Sequence, residues 1–252
     1  MSAVWANTAC GCTIRAGAAS HVGYFRENNE DRVYLDPEYP FALVLDGMGG
    51  LAAGELASRG AEAAVAAALR GGLAAGDEPP GLIERALRAG HEAVLDLGRR
   101  DRALRHTGTT VVLALLDRGR AHVSWLGDSP AYLVSGGGVE RLTWDHNLSN
   151  VLVRHGVISA EEAGANRLDN RLWRYLGAEE TKEPIEVRSF APRRGDRLVL
   201  ATDGVTGVVP EADLLHLCRA HPDPQACAEG LVNGALERGS RDNCTCAVLA
   251  FG

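Results

Sequence analysis

Lysine is nearly missing from this sequence: among 26 basic residues in 252, Lys182 is the one lysine and all the others are arginine. A Schiff-base enzyme or a phosphate-cradling loop of the G-x-x-x-x-G-K type needs a lysine in a defined setting, and neither setting surrounds Lys182. Positive charge as a whole is in deficit, with a net charge of -7. Such a chain repels a phosphate backbone, so nucleic acid is excluded as a partner. No apolar run approaches the ~20 residues of a membrane span. Met1 to Gly23 lacks the basic start and unbroken apolar core of a secretory signal, and a cytoplasmic location is expected. Cysteine is sparse and scattered: Cys10, Cys12, Cys218, Cys227, Cys244 and Cys246 do not form the dense framework of a disulfide scaffold. The spacing of the two C-x-C pairs is not that of a zinc site. In a strand, both members of a pair fall on one buried face and pack as small apolar groups. Also missing are Gly-x-Ser-x-Gly, Cys-x-x-Cys and His-Glu-x-x-His, which removes the corresponding hydrolase, redox and zinc-peptidase classes. His21, His106, His122 and His146 have no ligand spacing and read as structural.

What is present is an ordinary globular composition, 46% hydrophobic and 23% charged, which one domain over 1–252 can absorb. Short Val/Leu-rich runs bounded by Gly, Asp or Pro predict strands at 32–35, 41–45, 110–116, 121–126, 131–134, 185–190, 197–201 and 244–251. Helical periodicity covers 53–69 and 82–99, with a Gly/Pro-rich link from Gly71 to Gly81 between them. Further helical stretches are expected at 147–155, 160–165 and 211–238. Hairpin-length links between strands, and two helices in succession, do not fit the strict alternation of a doubly wound sheet. Antiparallel sheets covered by helix pairs fit better, an α+β class.

Acidic residues stand at the ends of the predicted strands. Phe41 to Leu45 runs into Asp46-Gly47, Leu198 to Thr202 into Asp203-Gly204, and Val123 to Leu126 into Gly127-Asp128. Asp242-Asn243 opens the last strand. Each Asp-Gly alone is a turn signal. If the last strand is antiparallel to its neighbours, however, Asp46, Asp203 and Asp242 gather at one sheet edge. Carboxylates crowded in a partly buried place need compensating positive charge. Oxygen-only donors select hard cations such as Mg2+ or Mn2+, and two such ions can activate a water for attack on phosphorus.

With these residues in view, the sequence resembles the type 2C family of metal-dependent Ser/Thr protein phosphatases, bacterial branch, from about Ser20 to Phe251. The resemblance is carried by Arg26-Glu27-Asn28-Asn29-Glu30-Asp31, Asp46-Gly47-Met48-Gly49-Gly50 with Gly54-Glu55 and Ala57-Ser58, and Thr107-Gly108-Thr109-Thr110. It continues through Gly127-Asp128-Ser129, Leu142-Thr143-Trp144-Asp145-His146, Leu200-Ala201-Thr202-Asp203-Gly204 and Ser240-Arg241-Asp242-Asn243-Cys244-Thr245. It implies a four-layer αββα sandwich with a small helical flap at about 147–177, and two Mn2+ or Mg2+ ions at one end of it. By similarity, Asp46 bridges the ions and the Gly47 carbonyl ligates one, while Asp203 and Asp242 complete the second position. Glu30 and Asp31 act mainly through waters, and Asp128 with Asp203 holds a third, weaker ion. Arg26 matches the residue that grips substrate phosphate, a task suited to a guanidinium fork. The flap arginines Arg167, Arg171 and Arg174 could meet an acidic or phosphorylated substrate. The implied partner is a phosphorylated protein, a Ser/Thr kinase or its targets.

Some positions depart from the pattern. Met48 stands where some relatives carry a histidine proposed as general acid, Pro130 where arginine is frequent, and Asn147 where a small hydroxyl residue is frequent. Gly47 to Ala52 also spells G-x-G-x-x-A, a dinucleotide-binding signature. Its helix is followed by a second helix, though, and Asp46 would face a pyrophosphate. A phosphatase fold kept as a silent regulatory module would be marked by loss of a metal acid, and here all six are present. A narrower substrate, one regulatory phosphoprotein such as an anti-sigma antagonist, is left open by the sequence.

Overall fold

A computed structural model describes residues 1–7, 12–49, 53–163, 168, 171–178 and 183–252. The expectations resting on Cys10, Gly50 to Ala52, Arg167 and Lys182 lie outside the described residues, and the Cys12 side chain is likewise not described. The chain forms β1 (Ser2–Asn7), β2 (Cys12–His21), β3 (Asp31–Leu35) and β4 (Phe41–Met48), then the helices α1 (Ala53–Ala75) and α2 (Pro79–Arg100). Next come β5 (Gly108–Thr109), β6 (Val111–Asp117), β7 (Arg120–Leu126), β8 (Ala131–Ser135), β9 (Gly138–Arg141), α3 (Leu148–Arg154) and α4 (Ala160–Ala163). The last part holds β10 (Val187–Phe190), β11 (Arg197–Ala201), α5 (Asp203–Thr206), α6 (Glu211–Ala220), α7 (Pro224–Glu237) and β12 (Cys244–Phe251).

Two antiparallel sheets result, ordered β1-β2-β12-β11-β8-β9 and β10-β7-β6-β4-β3, with β5 paired to β4. Their central strands are apolar at nearly every position because both faces are covered, and the period of two divides each strand between two cores. In β4, Phe41, Leu43 and Leu45 pack with α1 and α2, while Ala42 and Val44 face the other sheet. In β12, Cys244, Cys246 and Val248 pack with α6 and α7, while Ala247, Leu249 and Phe251 turn inward. Three cores thus stack helix pair, sheet, sheet and helix pair. Cys244 and Cys246 share one buried face and are free thiols, as the strand reading expects. Among the described residues, no helix is long and apolar enough to cross a membrane.

The differences from the sequence reading have local causes. β2 was not expected, because Ala and Gly fill it in place of β-branched residues. It is held by pairing with β12, and by the bare Cα of Gly17, where a Cβ would lie 2.3 Å from the Gln225 backbone on α7. The link read at 71–81 shrinks to three residues. Gly71 and Gly72 stay helical because Leu82 of α2 packs where a Gly72 Cβ would be, 2.1 Å from its Cδ1. Helix α2 then starts at Pro79, a first-turn position that needs no N–H. The stretch 211–238 divides at Pro222, and Asp223 caps α7 by accepting from the Ala226 amide at 3.0 Å.

β12 lies antiparallel between β2 and β11, with Cys244 opposite His21 and Cys246 opposite Ala201. Asp242, just before β12, and Asp203, just after β11, therefore share one end of this sheet. Asp46 lies in β4 of the other sheet, two residues before its end. The acids meet across the ends of two sheets and not at the edge of one, which corrects the sequence expectation.

Candidate metal centre

Asp46 is held through its backbone. Its amide donates to Thr110 Oγ1 (3.0 Å), and its carbonyl accepts from Thr109 Oγ1 (2.9 Å) and the Thr110 amide (2.8 Å). Thr110 Oγ1 also lies 2.7 Å from Ser129 Oγ, beside Asp128. Thr107 Oγ1 donates to the carbonyls of Met48 and Ala53. The Thr-Gly-Thr-Thr motif is thus a clamp on the Asp-Gly end of β4, a role the sequence signalled by the motif without revealing its target. Glycine supplies the remaining closeness: a Cβ on Gly47 would lie 2.2 Å from the Gly54 carbonyl oxygen, and one on Gly54 2.7 Å from the Glu30 carboxyl carbon. Ser58 Oγ ties α1 to the same place by donating to the Glu30 carbonyl at 2.6 Å.

Asn243 performs the matching task on the other sheet. Its Nδ2 donates to the carbonyls of Val22 (2.8 Å) and Asn28 (2.9 Å), and its Oδ1 accepts from the Glu30 amide (2.8 Å). The loop 22–30, which carries Arg26 and Glu30, is thereby fastened to the start of β12. Arg26 donates to Asp242 Oδ2 at 2.7 Å, with both side chains well exposed. Replacing Asn243 by Ala is expected to lower stability by about 2–4 kcal/mol, from three part-buried groups left without partners. It should also raise KM for a phosphopeptide, as read by urea titration and steady-state kinetics; unchanged values on both counts would remove Asn243 from the site.

The acids sense one another. Burial raises the pKa of Asp46 well above the carboxylate range, and Asp31, Asp203, Asp128 and Asp242 raise it further. Asp31 is pushed up to about 7 by burial, with Asp203 and Asp242 adding to the rise against hydrogen bonds from Thr245 and Thr202. Asp128 also reaches about 7, first through burial and then through Asp203 and Asp145. The Asp203 residue is exposed overall, yet desolvation of its carboxyl comes first in raising its pKa, ahead of Asp242. Asp46 acts on Asp203 in the opposite sense, lowering its pKa. Glu30 is raised mainly by burial, against the pull of Arg26.

This donor set suits hard divalent cations. All the groups offer oxygen, and Asp31 Oδ1 is buried without a hydrogen-bond partner among the described residues. Among the described residues, no three His, Cys, Asp or Glu side chains form a closed ligand shell. Mg2+ and Mn2+ accept such looseness, because they bind oxygen donors and Mg2+ in particular keeps several of its own waters.

Of the flap arginines, Arg171 is exposed. Arg174 is instead buried, donating from Nη2 to the carbonyls of Glu183 and Pro184 at 2.8 Å each. It is not a solvent-facing hand for substrate. Asn147 accepts from the Asn150 amide at 2.9 Å and caps α3.

His146 is a positioning residue that the sequence reading set aside. Its Nδ1 accepts from the Gly127 amide (3.1 Å), and its own amide donates to the Gly127 carbonyl (3.0 Å), which pins the residue before Asp128. Trp125, Trp144 and Trp173 surround the ring. Burial, then Arg174 and Arg154, push its pKa down to about 3, so the imidazole stays neutral in the fold. Since the unfolded chain binds this proton near 6.5 and the fold does not, stability is complete above 6.5. It falls as pH drops from there towards 3, by roughly 1.4 kcal/mol per unit. The variant His146→Asn keeps an acceptor and does not titrate. It is expected to be less stable at pH 8 but to show a shallower acid decline than wild type; parallel declines would refute the assignment.

Comparison with known proteins agrees with this geometry. The family described as Protein phosphatase 2C matches residues 25–226. The serine/threonine protein phosphatase PstP of Mycobacterium tuberculosis is 33% identical over 239 residues, covering 93% of this chain and 44% of PstP. This chain therefore spans less than half the length of that relative. The serine/threonine phosphatase stp of Listeria monocytogenes is 30% identical over 230 residues, covering 88% of this chain and 90% of stp. A crystal structure of the M. tuberculosis phosphatase superimposes with a TM-score of 0.83 at 32% identity, covering 94% of this chain and 98% of that one. A structure of the PstP catalytic domain in complex with two manganese ions gives a TM-score of 0.81 at 31% identity, covering 94% of this chain and 98% of that one.

Proposed function

Since the chain belongs to the protein phosphatase 2C family, we propose that it is a metal-dependent Ser/Thr protein phosphatase, hydrolysing phosphoserine and phosphothreonine esters with water. The observation that carries this reading is the convergence of Asp31, Asp46, Asp128, Asp203 and Asp242 at one mouth, where Asp31, Asp128, Asp203 and Asp242 all raise the pKa of Asp46. Evolved for stability alone, such a cluster would be a liability. Asp46 with the Gly47 carbonyl, Asp203 and Asp242 would hold two Mn2+ or Mg2+ ions. Glu30 and Asp31 would act through waters, and Asp128 with Asp203 would hold a weaker third. Bound there, the cations supply charge neutralisation and a water acidified for attack.

The chain's own groups do the rest. Arg26 stands at the exposed rim with one guanidinium nitrogen on Asp242, and a phosphate dianion competes for the guanidinium with two oxygens at once. The clamps from Thr109, Thr110 and Asn243 keep the acids and Arg26 from drifting, which matters because an ångström of misplacement costs orders of magnitude in rate. Met48 has no proton to give, so the leaving alkoxide takes its proton from water at the mouth. The whole chain acts as one catalytic domain with a flap at 147–177, where Arg171 is placed to meet substrate. The substrate is a phosphorylated protein in the cytoplasm, a kinase or one of its targets.

Hydrolysis of a phosphothreonine peptide should require added Mn2+ or Mg2+ and stop with excess chelator. Full turnover in chelator would overturn the reading.

A further inference from the structure

Away from the acids, a cavity of about 450 Å³ opens between α2 and the segments 174–178 and 183–185. That volume lies in the range of small-molecule sites. Its walls include Leu87, Leu95, Leu126 and Ile185. Its polar lining includes Arg88, His91, which accepts from the Gly177 amide at 3.2 Å, Glu92, Arg99, Arg174 and Glu183, and the buried charged group among them is Arg174. Arg174 is 4% exposed, its Nη2 is spent on the two backbone carbonyls, and its Nη1 has no hydrogen-bond partner among the described residues. A buried guanidinium nitrogen left unsatisfied is costly, and burial already pulls the Arg174 pKa below its usual range.

We propose that this cavity is a binding site for a small amphipathic monocarboxylate, its carboxylate on Arg174 Nη1 and its apolar body against the leucines and Ile185. The charges around the cavity favour one negative charge and no more. At the rim, Arg88 is paired with Glu84 (2.9 Å), and Arg99 with Glu92 (3.0 Å) and Asp96 (2.6 Å). These cations are matched, so Arg174 is left as the attractor, while Glu92 and Glu183 oppose a dianion. Among the described residues, the anion paired with Arg174 is itself a carboxylate. Glu183 Oε2 stands 3.9 Å from Arg174 Nη1, beyond hydrogen-bond length, on a side chain 59% exposed. A ligand carboxylate seated inside the cavity would make the bond that Glu183 does not reach. The site also adjoins the acid clamp. Tyr175 and Ala178 line it, and Leu176 between them exchanges backbone hydrogen bonds with Thr109 in both directions. This inference does not depend on the phosphatase reading.

The test uses 1-naphthoate and its neutral analogue 1-naphthamide, titrated by calorimetry into the full chain in excess chelator, where the acidic mouth repels a carboxylate. Naphthoate should bind one-to-one, and the amide about tenfold or more weakly. Arg174→Gln should erase that preference. Because this variant removes a buried group and can fail to fold, Leu95→Trp serves as the second. It fills the cavity from its wall, keeps Arg174, and should abolish naphthoate binding while p-nitrophenyl phosphate hydrolysis persists. Equal affinity for acid and amide, no binding to wild type, or unchanged binding in Leu95→Trp would each overturn the proposal.

Discussion

Asp203→Asn is expected to lower kcat on a phosphothreonine peptide by about 10³-fold, roughly 4 kcal/mol of transition-state stabilisation, while leaving the fold intact. The substitution keeps shape and removes one charge. Because Asp203 lies among Asp46, Asp128, Asp31 and Asp242 and raises the pKa of the first three, the charge it brings opposes folding when no cation is bound. The melting temperature in chelator should therefore equal or exceed that of wild type. The gain on adding Mn2+ should be smaller than in wild type, since ligand stabilisation scales with affinity. Loss of function joined to unchanged or improved stability separates a cation-holding role from a structural one. A variant that turned over at the wild-type rate would sink the site assignment.

The second large effect is on the fold. Gly204 follows Asp203, and its missing Cβ is what lets β11 and β12 close: a Cβ there would sit 1.9 Å from the Asn243 carbonyl oxygen and 3.2 Å from the Asp242 Cβ. The neighbour in the way is backbone, which cannot rotate aside, and Ser240 Oγ is bonded to the Gly204 carbonyl at 2.7 Å. Gly204→Ala should destabilise by about 3 kcal/mol, the upper part of the usual range for overpacking. That is a large share of the ~5–15 kcal/mol holding a typical domain together. The same displacement separates Asp203 from Asp242, so activity should fall even at temperatures where the variant stays folded. Denaturant titration and kinetics at low temperature test the two effects separately. A fully active variant with wild-type stability would show that the ends of the sheets are not packed as tightly as described.

Much of the architecture could be read from local pattern. The runs 41–45, 197–201 and 244–251 are apolar at nearly every position, which two-sided burial demands, and they became β4, β11 and β12. Asp46, Asp203 and Asp242 mark strand ends in the sequence, so their being at strand ends needed no structure. β2 escaped because its run of Ala and Gly carries little strand preference of its own, and it owes its shape to β12 and α7. Arg174 looked like its neighbour Arg171, since charge on a polar stretch says nothing about which residue the chain will fold over. Asn243, Thr109 and Thr110 were visible as motif letters, while their targets, the loop 22–30 and the Asp46 backbone, are distant in sequence.

Donor chemistry belongs to the residue, and so the all-oxygen character of the centre, its appetite for hard cations and the absence of a histidine after Asp46-Gly47 were settled by the amino-acid order alone. Proximity belongs to the folded chain. That acids 31, 46, 128, 203 and 242 crowd one mouth formed by two sheets, and that a buried arginine lines a cavity behind α2, depends on chain closures as long as the one from residue 31 to residue 242. No local pattern encodes those closures, because each is decided by which faces bury together and by the few glycines that let backbones touch.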